Sequence, residues 1–155
     1  MVGPDIYMAG PLFTRGEVEF NRDLAWWLRD KYEYEVYNPQ EHEDKFHHNP
    51  ELERAVWQHL ESVQTATVLL MNLDYEDLGA GVEAGYALAQ NTTILYYWTD
   101  KRNNPLELGQ SYMVTQNGMS HSVMDYCGGP VIPTAEDIAE ATNIRFEQLE
   151  SQGKL

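Results

Sequence analysis

The sequence predicts a single α/β domain over residues 1–155, in which helices flank a doubly wound parallel sheet. Three observations favour this fold. Strand-like runs alternate with helical periodicity, the run from Thr67 to Leu73 is apolar almost throughout, and turns rich in Gly, Pro, Asn or Asp follow the first three strands. A continuous apolar run is typical of a central parallel strand buried on both faces. The alternation implies right-handed βαβ units, as in flavodoxin-like and Rossmann-like sheets.

Local signals predict the elements in the first half of the chain. Thr14 followed by Glu17 has the spacing of a capping box and indicates a helix start. Asn49 followed by Pro50 indicates a second start, because proline is favoured at the first helical position. Residues 40–49 are polar, contain three histidines and are predicted to form a long loop. The other predicted elements are a strand at 5–9, a helix at 14–31, a strand at 34–37 and a helix at 50–63.

The second half of the chain continues the alternation. The apolar strand at 67–73 is followed by an Asp- and Gly-rich turn, a helix at 79–90 and a β-rich run at 92–98. Residues 100–117 are less periodic and are predicted to contain a loop and one helix. An acidic amphipathic helix is predicted at 133–150.

Composition and charge argue against several classes of protein. The formal net charge of −15 disfavours nucleic acid or an anionic membrane as a partner, because both repel an acidic surface. No apolar run approaches the ~20 residues that a membrane span needs. The N-terminus lacks the pattern of a signal peptide, and the single cysteine, Cys127, suits a reducing compartment. We therefore expect a cytoplasmic protein without a nucleic-acid or membrane partner.

The predicted topology indicates where a ligand should bind. In doubly wound sheets, ligands bind outside the carboxyl ends of the strands, where the loops 10–14, 38–49 and 74–81 should lie. Gly79 and Gly81 could form a phosphate-binding turn before a helix, but the acidic residues around them would repel phosphate. The local charge favours a neutral, hydroxyl-rich ligand such as a sugar or a nucleoside. The same acidic residues are also typical of a plain helix start, where they interact favourably with the helix dipole.

Glu83 lies just beyond the third of these loops. Its neighbours Val82, Ala84 and Gly85 are apolar or small and suit close packing of a helix against a sheet. A carboxylate in that setting is either desolvated at a site or directed away from the core. Its place beside the candidate loops favours a site.

Two segments resemble the nucleoside 2-deoxyribosyltransferase family. They are IYMAGPLF at residues 6–13 and DLGAGVEAGYA at residues 77–87, and their order and spacing match the family over about residues 5–98. The resemblance implies an enzyme that moves 2-deoxyribose from one nucleobase to another through a covalent sugar–glutamate ester. It also implies that the reaction needs no metal and no organic cofactor. The expected partners are deoxyribonucleosides and free nucleobases.

The resemblance also implies roles for individual residues. Glu83 would be the nucleophile that attacks C1′ of the sugar, and Tyr7 would hold its carboxylate by a hydrogen bond. Asp77 would accept the 5′-hydroxyl. Related deoxynucleoside-monophosphate hydrolases have Ser at the position of Asp77, and because an ionised carboxylate repels phosphate, a nucleoside is expected here rather than a nucleotide.

The chain departs from the family pattern at two places. His59 stands where the family usually has an Asp that handles the proton of the leaving base; an imidazole can serve as the general acid, or His59 is an ordinary helix histidine. The family also often supplies an Asn from a neighbouring subunit to the 5′-hydroxyl. Four residues are candidates for that role, namely Asn104, Glu107, Gln110 and Asn117.

The base is expected to lie near the first two candidate loops. It would pack against Leu12 and Phe13, with Gln40 presenting both a donor and an acceptor to the base edge. Gly10 and Gly79 belong to the turns that line the site. The histidines of residues 40–49 have no zinc-site spacing and are predicted to be solvated.

Two alternatives to a transferase remain open from the sequence. One is an N-glycoside hydrolase on nucleosides or nucleotides, in which water intercepts the sugar ester. The other is a non-catalytic sensor of a nucleotide derivative. The resemblance further implies a homo-oligomer, built from dimers or reaching a hexamer. The preference for purine or pyrimidine is not predicted.

Overall fold

A computed structural model describes residues 2–45, 52–100, 113–128 and 132–155. These ranges contain four main helices and five strands, and strands and main helices alternate along the chain up to residue 97. In order, the elements are β1 (Ile6–Ala9), α1 (Arg15–Tyr32), β2 (Val36–Tyr37), a first 3-10 helix (Pro39–Lys45), α2 (Leu52–Thr65), β3 (Val68–Asn72), α3 (Leu78–Ala89), β4 (Thr93–Tyr97), β5 (Ser120–Ser122), a second 3-10 helix (Met124–Tyr126) and α4 (Ala135–Ser151).

The five strands form one sheet in the order β2-β1-β3-β4-β5, and all neighbours are parallel. The direction of winding reverses between β1 and β3, which confirms the predicted doubly wound sheet. Ile6 pairs with Val36 on one side and with Val68 on the other. The carboxyl end of β1 therefore lies at the switch point of the sheet.

Each face of the sheet is covered by a different pair of helices. Alternation along β3 directs Val68 and Leu70 to the face of α1 and α4, and Leu69 and Met71 to the face of α2 and α3. All four side chains are at most 1% exposed. Burial of one such side chain contributes about 1.5–3 kcal/mol, so this central strand anchors both halves of the core.

The helix starts follow the capping signals. Thr14 accepts a hydrogen bond from the backbone N–H of Glu17, and the Glu17 carboxylate accepts one from the N–H of Thr14, which confirms the predicted capping box. A second capping box, not predicted, joins Thr134 and Asp137 at the start of α4. Asn49 and Pro50 lie outside the described residues.

Three sequence expectations differ from the structure. The strand predicted at 34–37 is limited to Val36–Tyr37. The loop predicted from residue 40 is a 3-10 helix over Pro39–Lys45, because Glu41 pairs with Arg29 of α1 and holds the segment in a compact turn. Strand β5 was not predicted, since its residues Ser120–Ser122 are polar and half-buried at the edge of the sheet. Within the described ranges, no helix is both long and apolar enough to cross a bilayer.

Candidate active site

Helix α3 places Glu83 against the sheet. Ala80, Ala84 and Ala87 are at most 2% exposed, and these small side chains allow the helix to approach β3 and β4 closely. Asp77 caps the helix by accepting hydrogen bonds from the N–H groups of Gly79 and Ala80. The side chain of Glu83 is only 15% exposed. The carboxylate is therefore partly desolvated and lies on the sheet side of the helix.

The hydroxyl of Tyr7 holds that carboxylate. Tyr7 Oη donates a hydrogen bond of 2.5 Å to Oε1 of Glu83, and the Tyr7 side chain is fully buried in β1. Burial raises the pKa of the Tyr7 phenol far above its usual range, and the charge of Glu83 raises it further. The phenol therefore stays protonated and acts only as a donor to the carboxylate.

His59 of α2 completes the cluster. Its Nδ1 lies 3.3 Å from Tyr7 Oη and 3.8 Å from Oε1 of Glu83, and its side chain is 18% exposed. Because the Tyr7 proton is directed to Glu83, Nδ1 of His59 must donate in any hydrogen bond to Tyr7 Oη. The structure thus brings together Tyr7, His59 and Glu83, three residues that the sequence placed far apart.

Comparisons with known proteins identify the family of the chain. The family profile described as "Nucleoside 2-deoxyribosyltransferase like" matches residues 3–101, which is more than half of the sequence. The chain belongs to the nucleoside 2-deoxyribosyltransferase-like family. Tyr7, His59 and Glu83 all lie within the matched segment. The search of curated proteins gave no match.

Solved structures share the fold of this deoxyribosyltransferase-like chain. A conserved protein from Enterococcus faecalis V583 is 26% identical with a TM-score of 0.58, and the alignment covers 90% of this chain and 97% of that protein. A 2-desoxiribosyltransferase from Leishmania mexicana is 18% identical with a TM-score of 0.56, and the alignment covers 92% of this chain and 96% of that protein. At 18% identity, the second likeness concerns the fold alone.

An aromatic stack, absent from the sequence predictions, surrounds the deoxyribosyltransferase-like cluster. The ring of Tyr37 stacks on Tyr7 with centroids 5.2 Å apart and an interplanar angle of 9°. The ring of His42 stacks on Tyr37 at 4.5 Å and 13°, and His59 meets Tyr37 edge-on at 5.7 Å and 76°. The parallel pairing of Tyr7 with Tyr37 across β1 and β2 produces the inner contact.

The acidic turn before α3 binds its own backbone. Because Oδ1 of Asp77 accepts from the N–H of Gly79 at 2.8 Å, that N–H group is engaged within the turn. Gly79 is exposed, and a Cβ at this position would lie 3.2 Å from Asp77 Oδ1. The turn therefore presents carboxylate rather than amide donors to a ligand, which disfavours phosphate.

The residues predicted to contact the base occupy different settings. Leu12 is half-buried, whereas Phe13, in the loop after β1, is 77% exposed. Gly10 is needed where this loop passes β3, since a Cβ there would lie 2.8 Å from the Cβ of Asn72. Gln40 donates from Nε2 to the carbonyl oxygen of Val18, so its amide braces the first 3-10 helix against α1.

A cleft of about 780 Å³ lies at the carboxyl ends of β3 and β4. Asp74 lines it and accepts hydrogen bonds from the N–H and hydroxyl of Thr99 and from the N–H of Asp100. Tyr7, His59 and Glu83 do not line this cleft. Asp74 thereby joins the loops that follow the two central strands.

The predicted contribution of a neighbouring subunit falls mostly outside the described residues. Asn104, Glu107 and Gln110 lie there, and so do His47 and His48. Asn117 is described, and its Oδ1 accepts a hydrogen bond from the N–H of Met119 at 2.9 Å in the turn before β5. Asn117 therefore has a local role in that turn.

Proposed function

We propose that the protein is a nucleoside 2-deoxyribosyltransferase, which moves 2-deoxyribose between nucleobases by double displacement. The observation that supports this function is the contact of Tyr7 with Glu83, which orients a partly desolvated carboxylate on the sheet side of α3. His59 lies 3.8 Å from Oε1 of Glu83, and we assign to its imidazole the proton that a departing base requires. The family assignment supports the same class of substrate.

In the first step, an oxygen of Glu83 attacks C1′ of a deoxynucleoside, and the bond between C1′ and the base breaks. The electron pair of that bond goes to the base, and protonated His59 donates a proton to it. The sugar is then held as an ester on Glu83. This sequence follows the logic of retaining glycosidases, in which a carboxylate stabilises and then captures an oxocarbenium-like centre.

In the second step, a nitrogen of the acceptor base attacks C1′, and the ester bond to Glu83 breaks. The acceptor loses its N–H proton to His59, which returns to its protonated form, and Glu83 is released as a carboxylate. Two inversions at C1′ retain the β configuration. Atoms and charge balance without a metal or an organic cofactor.

Asp77 is proposed to accept the 5′-hydroxyl of the sugar. Its carboxylate stands at the start of α3, six residues before Glu83 and thus within two turns of the nucleophile. A 5′-phosphate would bring a second negative charge to this carboxylate. The substrates are therefore nucleosides and free bases, and nucleotides are disfavoured.

The test is an exchange assay with thymidine or deoxyinosine as the donor and adenine as the acceptor. Chromatography should show deoxyadenosine and the released donor base in equal amounts. The matched control is Glu83→Gln, which keeps the size of the side chain and removes its nucleophilic charge. Free deoxyribose without deoxyadenosine would indicate a hydrolase on the same scaffold. Consumption of neither donor would refute the proposal.

A further inference from the structure

Tyr37 touches two of the three residues in the proposed catalytic cluster. Its ring covers one face of Tyr7 and lies edge-on against His59. Tyr7 and His59 are the two side chains that lie nearest to Oε1 of Glu83 in the cluster. A single ring therefore packs against both groups that orient the carboxylate.

The ring of Tyr37 is itself fixed on two sides. Its backbone pairs with Tyr7 in the parallel register of β1 and β2. On the outer face, the first 3-10 helix places the ring of His42 parallel to it at 4.5 Å. Such stacked rings have few alternative rotamers, because χ1 and χ2 are constrained by neighbours on both faces.

The hydroxyl of Tyr37 contributes less to this arrangement than the ring. Burial raises the pKa of the phenol and a hydrogen bond with Ser62 opposes that shift, so the group stays neutral near pH 7. Ser62 lies on α2, one turn beyond His59. The polar end of Tyr37 therefore faces α2, and the orienting contacts are made by the ring.

We infer that Tyr37 is a positioning residue, whose ring holds Tyr7 and His59 in the orientation that Glu83 requires. This inference rests on the proposed function, in which Tyr7 orients the nucleophile and His59 handles the proton. Tyr37 acts through these two residues. Loss of the ring lets the Tyr7 phenol and the His59 imidazole rotate, so the geometry of the chemical step is lost while the sugar subsite at Asp77 is unchanged.

The test compares Tyr37→Leu with Tyr37→Phe. Tyr37→Leu should lower kcat by roughly 10- to 100-fold with little change in KM, because small misplacement of catalytic groups impairs the chemical step more than binding. Tyr37→Phe keeps the ring and should restore kcat to within about 3-fold of the original protein. If the Leu variant does not fold, Tyr37→Met replaces it, since a flexible thioether chain fills irregular space.

The matched control is Tyr34→Leu. Tyr34 is also half-buried and its hydroxyl donates a hydrogen bond to Asn143, but it packs on Phe146 at the opposite face of the sheet. Its loss should lower the thermal midpoint comparably and leave kcat unchanged. An equal loss of kcat in Tyr34→Leu and Tyr37→Leu would overturn the inference, because both losses would then follow from stability.

A second readout does not depend on turnover. The ring signals of His59, assigned with His59→Gln, are followed by NMR in each variant. Tyr37→Leu should weaken the NOEs between the His59 ring and the Tyr7 ring, whereas Tyr37→Phe and Tyr34→Leu should leave these NOEs in place. Unchanged NOEs in Tyr37→Leu would overturn the positioning role. If the original protein showed neither transfer nor hydrolysis, the proposed function alone would be refuted. The NMR result would still decide the role of Tyr37.

Discussion

The hydroxyl of Tyr7 and the carboxylate of Glu83 lie 2.5 Å apart, although 76 residues separate them in the chain. The contact exists because β1 and β3 are neighbours in the sheet and α3 crosses back over the same face. Tyr7 is fully buried, so its phenol cannot turn away to solvent. The buried phenol therefore fixes one oxygen of the Glu83 carboxylate.

Glu83→Gln tests the nucleophile itself. The amide keeps an acceptor for the Tyr7 hydroxyl but lacks the negative charge, so we expect transfer to fall by more than about 1,000-fold. The urea midpoint should stay close to that of the original protein. A slow 2′-fluoro donor with the original protein should leave a sugar ester on Glu83, detectable by mass spectrometry. Turnover near the original rate in Glu83→Gln would assign the nucleophile elsewhere.

Asp77→Ser tests the selectivity for nucleosides. Serine also caps helices, so the hydrogen bond to the α3 backbone should be retained. Removal of the carboxylate eliminates a repulsion with a 5′-phosphate of up to about 4 kcal/mol at 4 Å. We expect weaker use of nucleosides and better use of 5′-monophosphates, measured as the ratio of the two kcat/KM values.

The control for this substitution is Asp77→Ala, which removes both the charge and the cap. It should cost about 1 kcal/mol of folding free energy in addition to the change in selectivity. An unchanged ratio of nucleoside to nucleotide use in both variants would mean that Asp77 is a helix cap without contact to the sugar.

The sequence predicts the central elements well because their signals are local. The apolar run around β3, the capping box of Thr14 and the small residues of α3 each determine their own element. Strand β5 lacks such a signal, since Ser120–Ser122 are polar and the strand forms by pairing with β4. The short β2 depends in the same way on its pairing with β1.

The candidate site is predictable only in part. The resemblance indicated Tyr7 and Glu83, but the stack on Tyr37 arises from strand order and register, which a single sequence does not reveal. Gln40 illustrates the same limit. Its Nε2 donates to the Val18 carbonyl because the first 3-10 helix packs on α1, a contact that the sequence does not predict, and its expected place at a base edge stays a prediction. Side-chain contacts of this kind depend on how the elements pack, which the sequence alone does not specify.

The ion pair between Arg29 and Glu41 predicts that acid lowers the stability of the first 3-10 helix, which carries His42. Two hydrogen bonds of 2.8 Å join the guanidinium to the carboxylate, and they hold the pKa of Glu41 below its usual range. A depressed pKa in the folded state means that the stabilisation is present above the ordinary carboxyl pKa and is lost as the pH falls through the lower folded value.

Glu41→Gln should therefore destabilise the protein by about 0.5–1 kcal/mol at neutral pH, a modest value because both groups are partly exposed. Urea unfolding should show this difference disappear in acid, where Glu41 of the original protein is also neutral. The control Glu19→Gln affects a more exposed pair with Arg15 and should have a smaller effect. A difference between Glu41→Gln and the original protein that persists in acid would contradict the assigned cause.

The last prediction concerns His59, where the chain departs from the family pattern. If protonated His59 donates to the departing base, kcat should fall as rising pH removes that proton, while ionisation of Glu83 sets the acid limb. His59 lies 3.8 Å from Glu83 Oε1, so protonated imidazole and ionised carboxylate also attract each other in the active form. The pH profile should be bell-shaped.

Three substitutions separate this role from a structural one. His59→Asp should remain active, but the alkaline limb of its pH profile of kcat should move. His59→Ala should slow transfer from donors with poor leaving bases more than from donors with good ones, because only the poor leaving bases need protonation. His121→Ala is the control, since this half-buried histidine of β5 contacts none of Tyr7, His59 and Glu83 in the described structure and should leave the limb in place. If the pH profile had no alkaline limb and His59→Ala were equally active on all donors, His59 would be a packing residue of α2. The proton would then come from another group.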